Sequence, residues 1–248
     1  MFSPLEQFEV YLVVPYFSVL PSWFVVTNTT VYMLLLCLFF FALSYIAYSQ
    51  PKVVAGRWQA VFEMFYVFIL DMLKAQAGMK AYSFFPLYIL IFIIILLANL
   101  IGLMPFAFTV TAQIIVTFFF ALSFNLGFIF LGFYLHNVKF LTLFVPSGVP
   151  TALLPLIVVI EVISYLIRTF SLSLRLFANM MAGHTLLHIL ASFVVVFLLL
   201  GGLLVVFAIV PFLLVLAVMV LEIGIAFLQA YVFTILLCIY ANDAINLH

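Results

Sequence analysis

Charged residues are scarce in this chain, and their scarcity excludes the class of soluble globular domains. Only 6% of the 248 residues are charged, whereas 70% are hydrophobic and 19% are aromatic. Soluble domains carry about a quarter charged residues. A soluble core of this size cannot bury so much apolar surface, but helices in lipid satisfy their backbone polar groups internally and can be apolar on every side. The composition therefore predicts an all-α membrane protein.

Other features that the sequence lacks remove further classes of protein. Seven basic residues balance seven acidic ones, so no charge excess indicates a nucleic-acid partner. Cys37 and Cys238 stand in apolar runs without CxxC spacing, and we predict neither a disulfide nor a cysteine metal site. The amino end has neither the basic region of a signal peptide nor the arginines of a transit peptide, so we expect the chain to be mature from Met1. No cofactor is predicted.

Three apolar runs are long enough to cross a bilayer, which takes about 20 residues of helix. They predict roughly perpendicular spans over residues 31–48, 84–104 and 112–135. Residues 53–77 place polar side chains on one side of a helix and apolar ones on the other, which predicts an amphipathic helix in the membrane interface. The polar side carries Arg57, Gln59, Glu63, Asp71 and Lys74, and the apolar side carries Trp58, Val61, Phe62, Phe65, Ile69 and Met72.

The carboxyl-terminal region is predicted to form a long, oblique helical hairpin. Residues 151–190 contain little that would end a helix, and a helix of about 40 residues is about 60 Å long. Because a bilayer core is about 30 Å thick, such a helix must lie steeply tilted or break. Gly201 and Gly202 predict a reversal, and the second arm is predicted over 203–245 with a kink at Pro211. Two ordinary spans are the alternative.

The basic residues outside the hairpin predict the orientation of the chain. Loops on the cytoplasm-like side of a membrane are enriched in lysine and arginine. Here these residues lie between the first two spans and after the third, so the amino terminus is expected on the positive side and His248 on the matrix-like side. The residues are Lys52, Arg57, Lys74, Lys80 and Lys139.

Ionisable residues inside the hairpin require a reason, because a charge near the bilayer centre costs about 3 to 10 kcal/mol. In both arms the polar residues recur at helical spacing and form stripes. The first stripe contains Glu161, Arg168, Ser171, Arg175 and Asn179, and the second contains Glu222, Gln229, Tyr240 and Asp243. Antiparallel arms that reverse at Gly202 would bring together residues equally far from it. Those pairs are His184 with Glu222, Arg175 with Gln229, and Glu161 with Asp243.

Arg175 has no acidic residue three or four positions away on its own helix. We therefore predict a functional charge whose partner comes from elsewhere, with a structural salt bridge to another subunit as the alternative. Arg168 either follows the same stripe or extends its head to the membrane interface.

Each of the remaining polar residues has two alternative predicted roles. His184 and Glu222 form either a proton relay or a closed structural pair. His184 and His188 also have the spacing of metal ligands, with Glu222 as a third ligand, although we predict no metal. Asn99 and Asn125 either join helices or line a polar path.

Two segments of the hairpin closely resemble the signature regions of the subunit a family of F-type ATP synthases. They are "SLSLRLFANMMAGHTLL" and "LEIGIAFLQAYVFTILL". The segment "ANLIGLMPFAFTVTAQI" extends the resemblance, and "SPLEQFEV" is similar to mitochondrial and alphaproteobacterial members. The resemblance implies a non-catalytic, proton-conducting stator subunit that couples proton flow to ATP synthesis. It implies a ring of c subunits, peripheral-stalk subunits and the lipid bilayer as partners. The implied location is the mitochondrial inner membrane with the amino terminus in the intermembrane space, or alternatively a bacterial inner membrane.

The resemblance also implies residue roles. Arg175 matches the family's essential arginine, which separates two aqueous half-channels, and His184 and Glu222 match a titratable pair in the half-channel from the positive side. Asn179 and Gln229 match polar neighbours of the arginine, Glu161 and Asp243 match acidic positions of the proton paths, and Arg168 matches a usually basic position. We add His188 to the proton path and Ser171, Tyr240, Asn99 and Asn125 as supporting residues. A secondary solute transporter and a structural subunit of a respiratory complex are the alternatives.

Overall fold

The structure is a computed structural model that describes residues 6–12, 26–48, 56–104, 107–145, 153–202 and 204–245. Its main helices are α1 (Asn28–Tyr48), α2 (Arg57–Ala77), α3 (Phe85–Gly102), α4 (Ile114–His136), α5 (Leu154–Leu200) and α6 (Ile209–Ile245). Among the described residues, β-structure is limited to one bridge between Leu12 and Thr27. The all-α class is therefore confirmed. The predicted starts at 53, 151 and 203, together with Lys52 and His248, lie outside the described residues.

Five helical segments of the described chain are long and apolar enough to cross a membrane. They are Asn28–Ile46, Tyr82–Gly102, Ile114–Thr142, Leu154–Leu200 and Val205–Ile245. The amphipathic helix α2 is not among them, because its charged residues lower its hydropathy. The chain is thus a multi-pass membrane protein.

The first hairpin arm is longer than predicted. Helix α5 has 47 residues and is about 70 Å long at 1.5 Å per residue, more than twice the thickness of a bilayer core. It continues ten residues past the predicted end at 190, because the apolar run offers no helix-breaking residue before Gly201 and Gly202. Those two glycines have φ values of +68° and +62°, a left-handed conformation that side chains disfavour and that ends the helix.

The second arm is interrupted near Pro211, but not at it. A helical turn at Leu204–Phe207 is separated from α6 by Ala208, and Pro211 lies in the first turn of α6. Proline has no N–H to donate to the carbonyl four residues earlier, and its ring clashes with that carbonyl. The helix therefore breaks before Pro211, beside the carbonyl of Phe207, and the predicted kink is replaced by a new helix start.

Tertiary contacts divide the chain into two compact units, which we describe separately. The first unit consists of Met1–Leu43, Ile94–Gln113 and Leu176–Gln229, and the second consists of Ser44–Ile93, Ile114–Arg175 and Ala230–His248. In the first unit the two hairpin arms lie antiparallel, because Asn179 contacts Gln229 and Gly183 contacts Glu222.

In the second unit, α2 packs against the beginning of α3 through aromatic rings. The Phe65 and Phe92 ring centroids lie 5.7 Å apart, and those of Tyr66 and Phe85 lie 4.7 Å apart. Ile69 on the predicted apolar face is fully buried. At the beginning of the same face, however, Trp58 is 61% exposed. The apolar face is therefore covered by protein only in its later part.

Candidate functional site

Within the first unit, polar side chains line a cavity of about 220 Å³ between α3, α5 and α6. We call it the Glu222 cavity. Its polar lining residues are Asn99, Asn179, Glu222 and Gln229. Three of these carry buried polar atoms that have no hydrogen-bond partner among the described residues: Asn99 Oδ1, both carboxylate oxygens of Glu222, and Gln229 Nε2. Such atoms are costly unless water or a ligand satisfies them, so the cavity is suited to hold water.

Gln229 is tied to the opposite arm by a hydrogen bond. Asn179 Nδ2 donates to Gln229 Oε1 over 3.2 Å, and only 1% of Gln229 is exposed. The sequence predicted Arg175 as the partner of Gln229, so the observed amide partner lies one helical turn later along α5. The two partners differ by one helical turn, although the arms reverse near Gly202 as the prediction assumed.

The Glu222 carboxylate packs directly against Gly183. A Cβ atom at Gly183 would collide with Glu222 Oε1, so only glycine leaves room for the carboxylate in this position. Glu222 itself is 7% exposed. The sequence predicted that Glu222 pairs with His184, but each of the two carries buried side-chain atoms without a hydrogen-bond partner among the described residues. The predicted hydrogen-bonded pair of His184 and Glu222 is therefore not formed. The Glu222 carboxylate packs instead against Gly183, the residue before His184.

His184 and His188 line a second cavity of about 690 Å³ in the same unit, which we call the His184 cavity. His184 is half-buried, and its Nε2 atom has no hydrogen-bond partner among the described residues. The ring lies near the backbone of Gly102. His188 is exposed. No group of three histidine, cysteine, aspartate or glutamate side chains in the described ranges is arranged to hold a metal ion.

The amino-terminal residues contribute to this site, which the sequence did not predict. The ring centroids of Phe8 and His184 lie 6.3 Å apart with the ring planes at 84°, and Gln7 and Tyr11 line the His184 cavity. An isolated aromatic residue far from the hairpin in sequence carries no periodic signal. The only sequence cue was the family-like segment "SPLEQFEV", which indicates no contact.

In the second unit, polar residues gather where α5 lies beside the end of α6. The Arg168 guanidinium lies 5.8 Å from the ring centroid of Tyr240, within the range of a cation–π contact. Tyr165 and Tyr240 are 6.1 Å apart between centroids. Tyr240 is 3% exposed, and its hydroxyl has no hydrogen-bond partner among the described residues. Arg168 thus contacts an aromatic face of its own chain.

The other predicted residues of the second unit lie on α4, α5 and α6. Asn125 Nδ2 donates to Thr169 Oγ1, which joins α4 to α5. Thr169 was not predicted. Glu161 and Asp243 are half-buried, whereas Ser171 is exposed. Asn125 therefore acts as a helix-joining residue here, the first of its two predicted readings.

Arg175 is exposed on α5. No carboxylate of the described residues forms an ion pair with it. A guanidinium is permanently charged and carries five N–H donors, so an exposed one on a helix of membrane-spanning hydropathy can accept an anion from outside the chain.

Comparisons with known proteins agree on one family. A family model described as ATP synthase A chain matches residues 29–242. The chain is 44% identical to ATP synthase subunit a of Chondrus crispus over 249 residues, covering 99% of this chain and 97% of the relative. It is 43% identical to ATP synthase subunit a of Marchantia polymorpha, covering 99% of each chain. It is 46% identical to ATP synthase subunit a of Rhizobium rhizogenes, covering 98% and 97%.

Proposed function

This chain belongs to the ATP synthase A chain family, and from that membership we propose that it is the proton-conducting stator subunit of an F-type ATP synthase. In this role the chain makes and breaks no covalent bonds other than those to protons. It guides protons to and from carboxylates on a rotating ring of c subunits. The single observation that carries the proposal is the exposed guanidinium of Arg175, which has no acidic partner among the described residues.

Arginine has the chemistry that this role requires. Its pKa lies above 12, so it stays charged and cannot pass a proton along. It attracts an ionised carboxylate of the ring strongly where water is scarce. An anionic ring site is therefore held while it passes Arg175, and protons cannot leak through the arginine from one half-channel to the other.

The first half-channel is assigned to the two cavities of the first unit. A proton arriving from the positive side reaches His184 and His188, which line the larger cavity. The Glu222 cavity then offers a carboxylate and three amide side chains for water to bridge. Glu222 holds the proton before transfer, and the bond between Asn179 and Gln229 keeps that wall of the cavity in place.

The second half-channel is assigned to the acidic residues of the second unit. Glu161 and Asp243 receive protons that leave the ring and pass them to the matrix side. Arg168, held over Tyr240, keeps a positive charge near this exit. Ser171 extends the polar stripe on α5.

The driving force comes from the membrane field. A c-subunit carboxylate that has gained a proton is neutral and can face lipid, whereas the ionised form would be strongly disfavoured there. Each proton that crosses releases about 2.3 kcal/mol per 100 mV.

We assign the chain to the mitochondrial inner membrane, with its amino terminus in the intermembrane space and the peripheral stalk as a further partner. A bacterial inner membrane is the alternative, because the relatives include bacterial proteins.

The proposal predicts that replacing Arg175 by alanine abolishes coupled ATP synthesis. Without a fixed cation, the ring carboxylate is no longer held, and protons can pass directly from one half-channel to the other. We expect at least about a hundredfold loss of proton-driven synthesis in reconstituted vesicles, the scale of removing a charge-stabilising group. Arg175→Lys should also fail substantially, because a lysine in low dielectric can lose its proton.

Arg57→Ala is the matched control, since Arg57 is an exposed arginine at the first residue of α2. It should leave synthesis within about twofold of the parent, as expected for a surface substitution. The amount of assembled complex is measured for every variant. Normal synthesis in an assembled Arg175→Ala complex would refute the assignment.

A further inference from the structure

The segment Gln7–Leu12 is held in place within the first unit by several hydrogen bonds. Gln113 Nε2 donates to the carbonyl oxygen of Phe8 over 2.8 Å. Asn28 Nδ2 donates to the carbonyl oxygen of Glu9 over 3.0 Å, and the Asn28 backbone N–H donates to that of Tyr11 over 3.2 Å. The backbone of this segment is therefore held in place at the carbonyls of Phe8, Glu9 and Tyr11.

Phe8 directs its ring at His184. The two rings meet edge to face, with centroids 6.3 Å apart and planes at 84°, which is a favoured arrangement for aromatic pairs. His184 lies near the backbone of Gly102, and its Nε2 atom is buried with no hydrogen-bond partner among the described residues. The contact with Phe8 restricts rotation of the imidazole.

We propose that Phe8 is a positioning residue that covers His184 and controls how often its imidazole becomes accessible from the His184 cavity. This inference rests on the proposed function, because it assumes that His184 carries protons. The anchored segment then acts as a wall of the proton entry path. Phe8 itself neither gains nor loses a proton.

The neighbouring residues provide internal comparisons. His188 lines the same cavity, is exposed, and has no ring contact among the described residues. Val10 belongs to the same segment and is 51% exposed. If Phe8 acts on His184 alone, its loss will change His184 and leave His188 unaffected.

The test is the reaction rate of each histidine with diethyl pyrocarbonate, resolved by mass spectrometry on the intact complex. This reagent modifies an imidazole nitrogen only when it is accessible. Phe8→Leu keeps an apolar side chain but removes the aromatic contact, and should raise the rate at His184 by about two- to tenfold, the factor that corresponds to an aromatic pair of usual strength. The rate at His188 should stay unchanged.

Two control variants should leave the labelling rate of His184 at the parent value. Phe8→Tyr keeps the aromatic ring, and Val10→Ala removes an exposed side chain of the same segment. An unchanged rate at His184 in Phe8→Leu would overturn the proposal. So would a parallel rise at His188, because it would mean general opening of the cavity. Should Phe8→Leu fail to assemble, Gln113→Leu removes the donor to the Phe8 carbonyl and should raise labelling of His184 in the same direction.

A second measurement separates this inference from the proposed function. ATP-driven proton pumping should fall in Phe8→Leu by about the same two- to tenfold factor, and the fall should vanish when His184 is already alanine. Normal pumping in His184→Ala would contradict the proposed function, while the labelling result would still decide whether Phe8 covers His184. Impaired pumping in His184→Ala with parent-like labelling in Phe8→Leu would contradict only the present inference.

Discussion

Glu222 is nearly inaccessible, yet its carboxylate has no hydrogen-bond partner among the described residues. A buried carboxylate in this state destabilises the fold relative to a neutral group of the same shape. We predict that Glu222→Gln lowers proton pumping by about a hundredfold, the scale of losing an acid–base group. It should nevertheless leave the thermal dissociation temperature of the solubilised complex unchanged or higher.

Glu63→Gln is the control for this prediction that pumping falls while the dissociation temperature does not. Glu63 is exposed on α2, and its Oε1 accepts a hydrogen bond from Gln59 over 2.8 Å. Its neutralisation should change neither pumping nor stability appreciably, because exposed polar contacts contribute little. A clear fall in the dissociation temperature of Glu222→Gln would show that the carboxylate has a stabilising partner outside the described residues.

Individual residues differ in how well the sequence predicts their surroundings. Asn179 and Gln229 could be placed on facing stripes because helical periodicity fixes which side chains share a face. The contact of Phe8 with His184 could not, since the two are far apart in sequence and no pattern relates them. The contact between Glu222 and Gly183 was not predicted either, because it depends on the rotamer of Glu222 and on the exact register of the two helices.

At the scale of helices, one glycine of α4 is required for packing and another is not. A Cβ atom at Gly132 would overlap the ring of Phe140, which follows α4 in a 3₁₀ segment, whereas a Cβ at Gly127 meets nothing within 4 Å. We predict that Gly132→Ala destabilises the chain by about 1 to 3 kcal/mol through overpacking. Gly127→Ala should stabilise it by up to about 1 kcal/mol, because alanine favours helix.

Both variants are compared by the temperature at which the purified complex loses this chain. They differ by five positions on one helix, so lipid and detergent effects are shared. Equal shifts for the two glycines would contradict the packing of Phe140 against α4.

Helices were more predictable than their ends. Apolar length and an amphipathic pattern indicated the spans and the interfacial helix, because a bilayer allows few other arrangements. The end of α5 was misplaced by ten residues, since an apolar run in a membrane protein gives no signal until a glycine interrupts it. The break before Pro211 differs from the predicted kink because the proline ring clashes with the carbonyl of Phe207 and offers it no N–H, so that a new helix begins there.

Across the part of the chain that the structure describes, the exposed side chains are mostly apolar. On α5 alone, Leu166 is 62% exposed, Ile167 is 58% exposed and Phe170 is 48% exposed. Arg175 follows them on the same helix, also exposed. Lipid can cover the apolar side chains, but it cannot satisfy a guanidinium. Under the proposed function, the exposed surface at Arg175 requires the ring as a partner in addition to the bilayer.

This requirement predicts what accompanies the chain during purification. In a mild detergent, we expect a ring of small two-helix subunits with membrane-embedded carboxylates, together with a soluble ATPase, to be recovered with it in fixed proportion. A solute transporter would be recovered without either. In the Arg175→Ala variant the ring should be retained, because apolar contact with α5 remains, but its rotation should no longer be coupled to proton flow. Recovery of this chain as a monomer from native membranes, with no ring attached, would contradict both the partner and the function proposed here.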